Sequence, residues 1–287
     1  MKKLFVTFLL AAISLGYCMA QPPQFFRMMK KNEAKIYTLT VGKVTMDIDA
    51  NNGARITSLR HDTTEIISHI DFPNQYGSTF WTSPQKEWNW PPVHEHDMGM
   101  YTVEEQEGGV LLMTSPLSEK FPVIIKKKFE VDVADNCFVV TYIIENASKE
   151  VRKVAPWEIT RVLANGTVCF DAPVAGITPA GLMNFVEKDG LATYDIDHVD
   201  GQNRKINSDG KGWLAFTQNG LTLVKKFQDL DPSQPAPDEA EIQIYVHQGN
   251  AYVELESQGA YTTLQPGESL TWPVRWYLMP ASEFKAK

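Results

Sequence analysis

From Ile36 onward the chain is cut into short runs in which apolar and polar residues alternate, with turn-forming residues between the runs. No long stretch repeats at helical spacing, so this period of two restricts the fold more than any other feature. Ile36 to Val41 and Val44 to Asp49 flank Gly42-Lys43. Tyr101 to Gln106, Val110 to Ser115, Val123 to Val133 and Phe138 to Glu145 are separated in part by Gly108-Gly109 and Asp135-Asn136, which reads as an antiparallel meander. Trp213 to Thr217 and Leu221 to Phe227 surround Gln218-Asn219-Gly220, and Ile242 to His247 follows an acidic, proline-containing excursion. The expected fold class is all-β and mostly antiparallel. A chain of 287 residues with 43% hydrophobic content can bury one large β core, and residues 36–287 are assigned to it as a single domain.

The first twenty residues read differently. Lys2 and Lys3 precede an apolar run from Leu4 to Leu15, and Cys18-Met19-Ala20 before Gln21 resembles a small-residue cleavage site. A secretory signal over residues 1–20, a leader arm over 21–35, and a periplasmic or secreted protein are expected; lipid anchoring through Cys18 is the alternative. No later apolar segment is long enough to span a bilayer. A net charge of -8 with one basic run, Lys126-Lys127-Lys128, argues against a nucleic-acid partner. Cys137 and Cys169 lie inside apolar runs, where they either pair in an oxidising compartment or remain buried thiols.

Chemistry concentrates in three stretches. In Tyr252 to Gln258, Tyr252, Glu254, Glu256 and Gln258 alternate with Val253, Leu255 and Ser257, so two carboxylates share one strand face. At roughly 7 Å apart, each raises the cost of ionising the other where water is scarce. Pro266-Gly267 then reads as a turn that returns Trp272, Arg275 and Trp276 alongside as a hairpin. Tyr76 to Met100 reads as a long loop holding Trp81, Trp88 and Trp90, whose rings suit sugar C–H surfaces, with Gln85 and Asn89 able to read hydroxyls; the other reading is a cap on the core. His94-Glu95-His96, if extended, puts both imidazoles on one side, but no third ligand is fixed, so neither a metal nor a cofactor is expected. The third stretch, Val154 to Arg161, adds Trp157 and Glu158.

Leu255-Glu256-Ser257-Gln258 followed by Leu264-Gln265-Pro266-Gly267-Glu268 resembles the end of the aldose 1-epimerases, or galactose mutarotases, and Asn52-Gly53-Ala54 leading into a strand resembles their early turn. The resemblance implies a galactose mutarotase-like β-supersandwich over about residues 36–280, a saccharide ligand in a concave sheet, and Glu256 as catalytic base. It further implies that His94 or His96 orients the substrate, while the hairpin reading makes Arg275 the cation that fixes an oxygen or tunes Glu256. The family's second histidine, its proton donor, is replaced on the matching strand by Trp157 and Glu158, which makes Glu158 the candidate acid. A positioned acid contributes about 10²- to 10⁴-fold in rate, so this departure matters. Trp81, Gln85, Trp88, Trp90, Trp157, Glu254 and Arg275 are the expected sugar contacts. A non-catalytic carbohydrate-binding protein is the first alternative. A polysaccharide lyase, which needs a tyrosine or histidine base and clustered cations, is the second.

Overall fold

The computed structural model describes residues 29–31, 35–70, 72, 74–198 and 201–286. The expected signal segment, Cys18 and most of the leader arm lie outside the described residues. Among the described residues two sheets carry the fold, and every strand pairing is antiparallel. The first runs in the order Met29–Lys31 (β1), Ile36–Val41 (β2), Val44–Asp49 (β3), Arg55–His61 (β4), Ser78–Ser83 (β6), Arg152–Val162 (β11), Val253–Gln258 (β19), Ile242–Val246 (β18) and Arg204–Ser208 (β15). Thr64–Glu65 (β5) pairs with β4, and Thr262–Leu264 (β20) pairs with β11. The second runs Val186–Lys188 (β13), Leu191–Asp195 (β14), Thr167–Phe170 (β12), Trp213–Gln218 (β16), Leu221–Lys226 (β17), Ser269–Pro280 (β21), Cys137–Asn146 (β10), Val123–Asp132 (β9), Val110–Thr114 (β8) and Thr102–Gln106 (β7).

The alternation read from β2 and β3 has its physical counterpart in their burial, which switches residue by residue between buried and half-buried. One face of each sheet turns toward the other. Met46, Ile48, Leu59, Ile244 and Leu255 of the first sheet and Ile125, Phe129, Val140, Leu223 and Val274 of the second are buried in one apolar cluster. Each such side chain contributes about 1.5–3 kcal/mol when fully withdrawn from water. Across the gap Phe80 stacks on Tyr142 at 4.3 Å between ring centres.

Four sequence expectations need correction or completion. The C-terminal pair is not a hairpin: β19 lies in the first sheet and β21 in the second, and β20 between them is taken up by Arg152 to Val154 of β11. The stretch after Tyr76 is not all loop, because Ser78–Ser83 forms a central strand whose residues are buried on both faces and therefore show no alternation. His94–Asp97 (α1) is a single helical turn, not an extended segment. It seats against Gly53, where φ is +68° and an added Cβ would meet the Asp97 carbonyl at 2.1 Å, so the early Asn-Gly turn is fixed by a close backbone approach. Cys137 and Cys169 are both free. Among the described residues no helix is long and apolar enough to cross a membrane.

Candidate functional site

The register of the first sheet sorts its side chains onto two faces. Trp81 pairs with Trp157, Ile159 with Glu256, and Arg161 with Glu254, while Glu256 also pairs with Gln243 and Glu254 with Tyr245. Directly paired residues point to the same face, so Trp81, Trp157, Glu254, Glu256, Gln243 and Tyr245 share one. The intervening residues Phe80, Glu158, Leu255 and Ile244 point the other way. Because Phe80 stacks on Tyr142 and Glu158 pairs with Lys225 of β17, that other way is toward the second sheet. The carboxylate pair Glu254 and Glu256 thus lies on the outer face.

There it lines a hollow of about 200 Å³ whose walls are Trp81, Trp157 and Trp90, with Tyr245, Tyr252, Lys205, Gln75 and Gln85 completing it. The rings of Trp81 and Trp157 meet edge to face at 5.3 Å between centres, and the exposed ring of Trp90 stands edge-on to Trp81 at 6.1 Å. Trp88 does not reach the hollow. It is buried behind Trp81, donating its indole N–H to the Thr82 carbonyl at 2.9 Å, and so braces the wall. Asp97 braces it from the far side, accepting from Thr79 Oγ1 at 2.6 Å and from Trp81 Nε1 at 2.8 Å while Arg55 approaches its other oxygen at 3.3 Å. Those contacts, with Arg55 the leading opposite charge, hold the Asp97 carboxyl below its ordinary range even though burial opposes them.

Glu256 is the best-defined group in the hollow. Its Oε2 accepts from Trp157 Nε1 at 2.7 Å and from Lys205 Nζ at 2.9 Å, and the Lys205 ammonium lies 4.7 Å above the Trp157 ring. Its Oε1 is buried and has no hydrogen-bond partner in the protein. A buried acceptor left unpaired costs about 1–3 kcal/mol, more when charged, so this oxygen is a ready acceptor for a donor entering the hollow. Glu254 has a different setting: it forms an ion pair with the fully buried Arg161 at 2.9 Å. Burial pushes the Glu254 carboxyl up, Arg161 opposes the rise, and Glu256 adds to it. Burial likewise lifts the Tyr245 hydroxyl to about 12, with the two glutamates adding, so Tyr245 serves as a hydrogen-bond donor and not as a base.

Besides Trp88, four expected site residues lie elsewhere. Glu158 faces the interior of the sandwich, where Ser78, Thr160, Ser257 and Lys225 all donate to its carboxylate; it cannot reach a ligand beside Glu256. His96 is buried with its Nε2 3.0 Å from the Val123 carbonyl, and burial lowers its imidazole to about 4. His94 is exposed on α1 and does not line the hollow. On this helical turn His94 is exposed and His96 buried, so the two rings do not share a face. Arg275 belongs to the second sheet, paired with Asp132 at 2.5 Å and Asp135 at 3.3 Å. Asp132, Asp135 and Cys137 are the one group among the described residues with metal-ligand spacing, and Arg275 together with Tyr277, which donates to Asp135 at 2.5 Å, already occupies its carboxylates. Lys205 and Tyr245 were missed from the sequence. Tyr245 lies in the Gln243-Ile244-Tyr245 alternation, a signal that was there to use; Lys205 depends on the pairing of β15 at the sheet edge, which no local pattern encodes.

No protein-family model and no curated protein matches the sequence. Solved structures do match. A protein from Escherichia coli K12 provisionally assigned as an aldose 1-epimerase superposes with a TM-score of 0.60 at 14% identity, over 85% of this chain and 99% of its own. A galactose mutarotase-like protein from Lactobacillus casei ATCC 334 gives 0.60 at 14%, over 85% and 100%. Another from Clostridium acetobutylicum gives 0.59 at 11%, over 89% and 99%. Superposed over 85–89% of its own length and 99–100% of theirs, the chain has the galactose mutarotase-like fold.

Proposed function

We propose that the protein binds a saccharide in the outer-face hollow and exchanges its anomers, with Glu256 as the base. One observation carries the reading: Glu256 lines a hollow walled by indole rings, is anchored through one oxygen by Trp157 and Lys205, and keeps its other oxygen buried without a partner in the protein. Indole faces suit the C–H surface of a pyranose, and the free oxygen suits its hydroxyl. At about 200 Å³ the hollow is smaller than the ~300–1,000 Å³ that drug-sized ligands occupy, which fits one ring. The similarity to galactose mutarotase-like structures supports the same choice of ligand class.

In this scheme Glu256 takes the proton of the anomeric hydroxyl while the ring oxygen gains a proton and the bond from C1 to that oxygen breaks. The open aldehyde then rotates and recloses to either anomer, returning both protons. Glu254 replaces Glu158 as the donor to the ring oxygen, since it faces the same hollow and burial favours its protonated form. A second reading, recognition without turnover, is favoured by the Arg161 ion pair, which draws Glu254 back toward the carboxylate. Saturation-transfer NMR on the purified protein with a monosaccharide panel, recording anomer exchange in the same tubes, separates the two. Binding with accelerated exchange is expected; binding with exchange at the spontaneous rate leaves recognition alone, and no binding removes both. Export through residues 1–20 is part of the proposal, and the mass of the mature N-terminus tests it against retention of Cys18 with a lipid.

A further inference from the structure

We infer that the ligand is longer than one ring, and that a second sugar ring sits in the adjoining hollow of about 490 Å³ over β15 and β18. The inference rests on the saccharide reading above and adds the length of the ligand to it. The rows of the sheet supply the geometry. From Glu256 the outer-face row steps to Gln243 on β18 and then to Asn207 on β15, each step being one strand spacing of about 4.8 Å. Gln243 and Asn207 line the second hollow, and Lys205 lines both, so a single lysine side chain stands between the two spaces.

Beneath the second hollow runs a network of side-chain amides around one carboxylate, Glu239. Gln243 donates to Asn207 Oδ1 at 2.9 Å and to Glu239 Oε2 at 2.9 Å, and Gln258 donates to the same Glu239 oxygen and to Gln243 Oε1, both at 3.0 Å. Gln258 keeps its own Oε1 buried and unpartnered in the protein. Gln243 and Gln258 are essentially inaccessible, and such a network orders the surface that it underlies. Polar side chains without an indole suit the hydroxyl edge of a ring, complementing the aromatic walls of the first hollow. Thr178 and Pro179 form the far wall, held to the edge strand by two backbone hydrogen bonds between Thr178 and Asn207 at 2.9 and 2.7 Å. Thr178 and Pro179 bound the hollow beyond the edge strand, and the ligand is taken to end there with its second ring.

Isothermal titration of the full protein with glucose, galactose and mannose, and with disaccharides and trisaccharides built from them, tests this directly. At least one disaccharide is expected to bind tenfold or more tighter than its component monosaccharide, and adding a third ring is expected to change affinity less than twofold. Thr178→Trp, which fills the second hollow from an exposed position, is expected to erase the disaccharide advantage while monosaccharide affinity stays within twofold. Equal affinity for one and two rings in the wild-type protein overturns the inference and leaves the saccharide reading standing. A further tenfold gain from the third ring overturns the closed wall. Failure of every sugar to bind overturns both.

Discussion

Glu158 and Glu256 stand on neighbouring strands of one sheet, are exposed to 0% and 1%, and differ in a single respect that decides what each can do. Glu158 points inward and has its charge answered by Lys225, with Ser78, Thr160 and Ser257 completing its contacts. Glu256 points outward and keeps one oxygen without a partner. Burial alone would rank them as equals. An acid whose hydrogen-bonding capacity is consumed inside the protein is part of the scaffold; one with capacity left over beside an accessible hollow is available to a ligand.

The comparison can be broken most forcefully from the inside. Glu158→Gln leaves the fully buried Lys225 without its counter-charge, and a loss of about 3–5 kcal/mol is expected in urea unfolding. Adding Lys225→Met should return most of it, because the cost lies in the uncompensated charge; a single variant as stable as the wild type would end the distinction between the two faces. Glu256→Gln should do the reverse. Anomer exchange is expected to fall at least about 100-fold, about 2.7 kcal/mol in the barrier, with sugar binding retained and the unfolding midpoint little moved.

A third prediction concerns Lys127, which also points into the sandwich but donates to the Gly53 carbonyl at 2.6 Å in place of a carboxylate. Burial lowers its ammonium to about 7. Between that value and the ordinary lysine range the unfolded chain holds a proton that the folded chain lacks, so stability must rise with pH, by at most about 1.4 kcal/mol per pH unit for one proton. Unfolding free energies at pH 7, 8 and 9 should show this slope in the wild type, and Lys127→Met should remove that share of it. The smallest effect is expected at the rim. Trp90→Ala trims an exposed ring and should weaken sugar binding by about 1 kcal/mol, roughly fivefold, without altering stability.

The sequence revealed most where one face of a strand is wet. Ile36 to Val41 and Val44 to Asp49 could be bounded to the residue, since each is buried only on alternate positions. Legibility fails in the middle of the first sheet, and for a physical reason. From Val154 to Val162 every residue of β11 is buried, so no periodicity says which way Glu158 points, and parity alone decides between scaffold and site. The pair Glu254 and Glu256 was legible because the spacing by two survives burial as chemistry, carboxylates against Val253 and Leu255. The role expected of Arg275 was not recoverable from its nearness in sequence to Glu256, because β20 diverts the chain and hands β21 to the opposite sheet.

The strand order also fixes when the hollow comes into being. Its walls are drawn from β6, β11, β15, β18 and β19, and the contact between Trp157 and Glu256 joins residues 99 apart in the chain. Closing such distant pairings costs chain entropy before any contact repays it, which makes them slow steps in folding. The N-terminal strands can pair with their neighbours early, whereas the outer-face hollow must await the arrival of the last quarter of the polypeptide. A nascent or truncated chain that lacks Val253 to Gln258 therefore has neither the carboxylate pair nor the closed hollow, whatever its earlier strands have already paired.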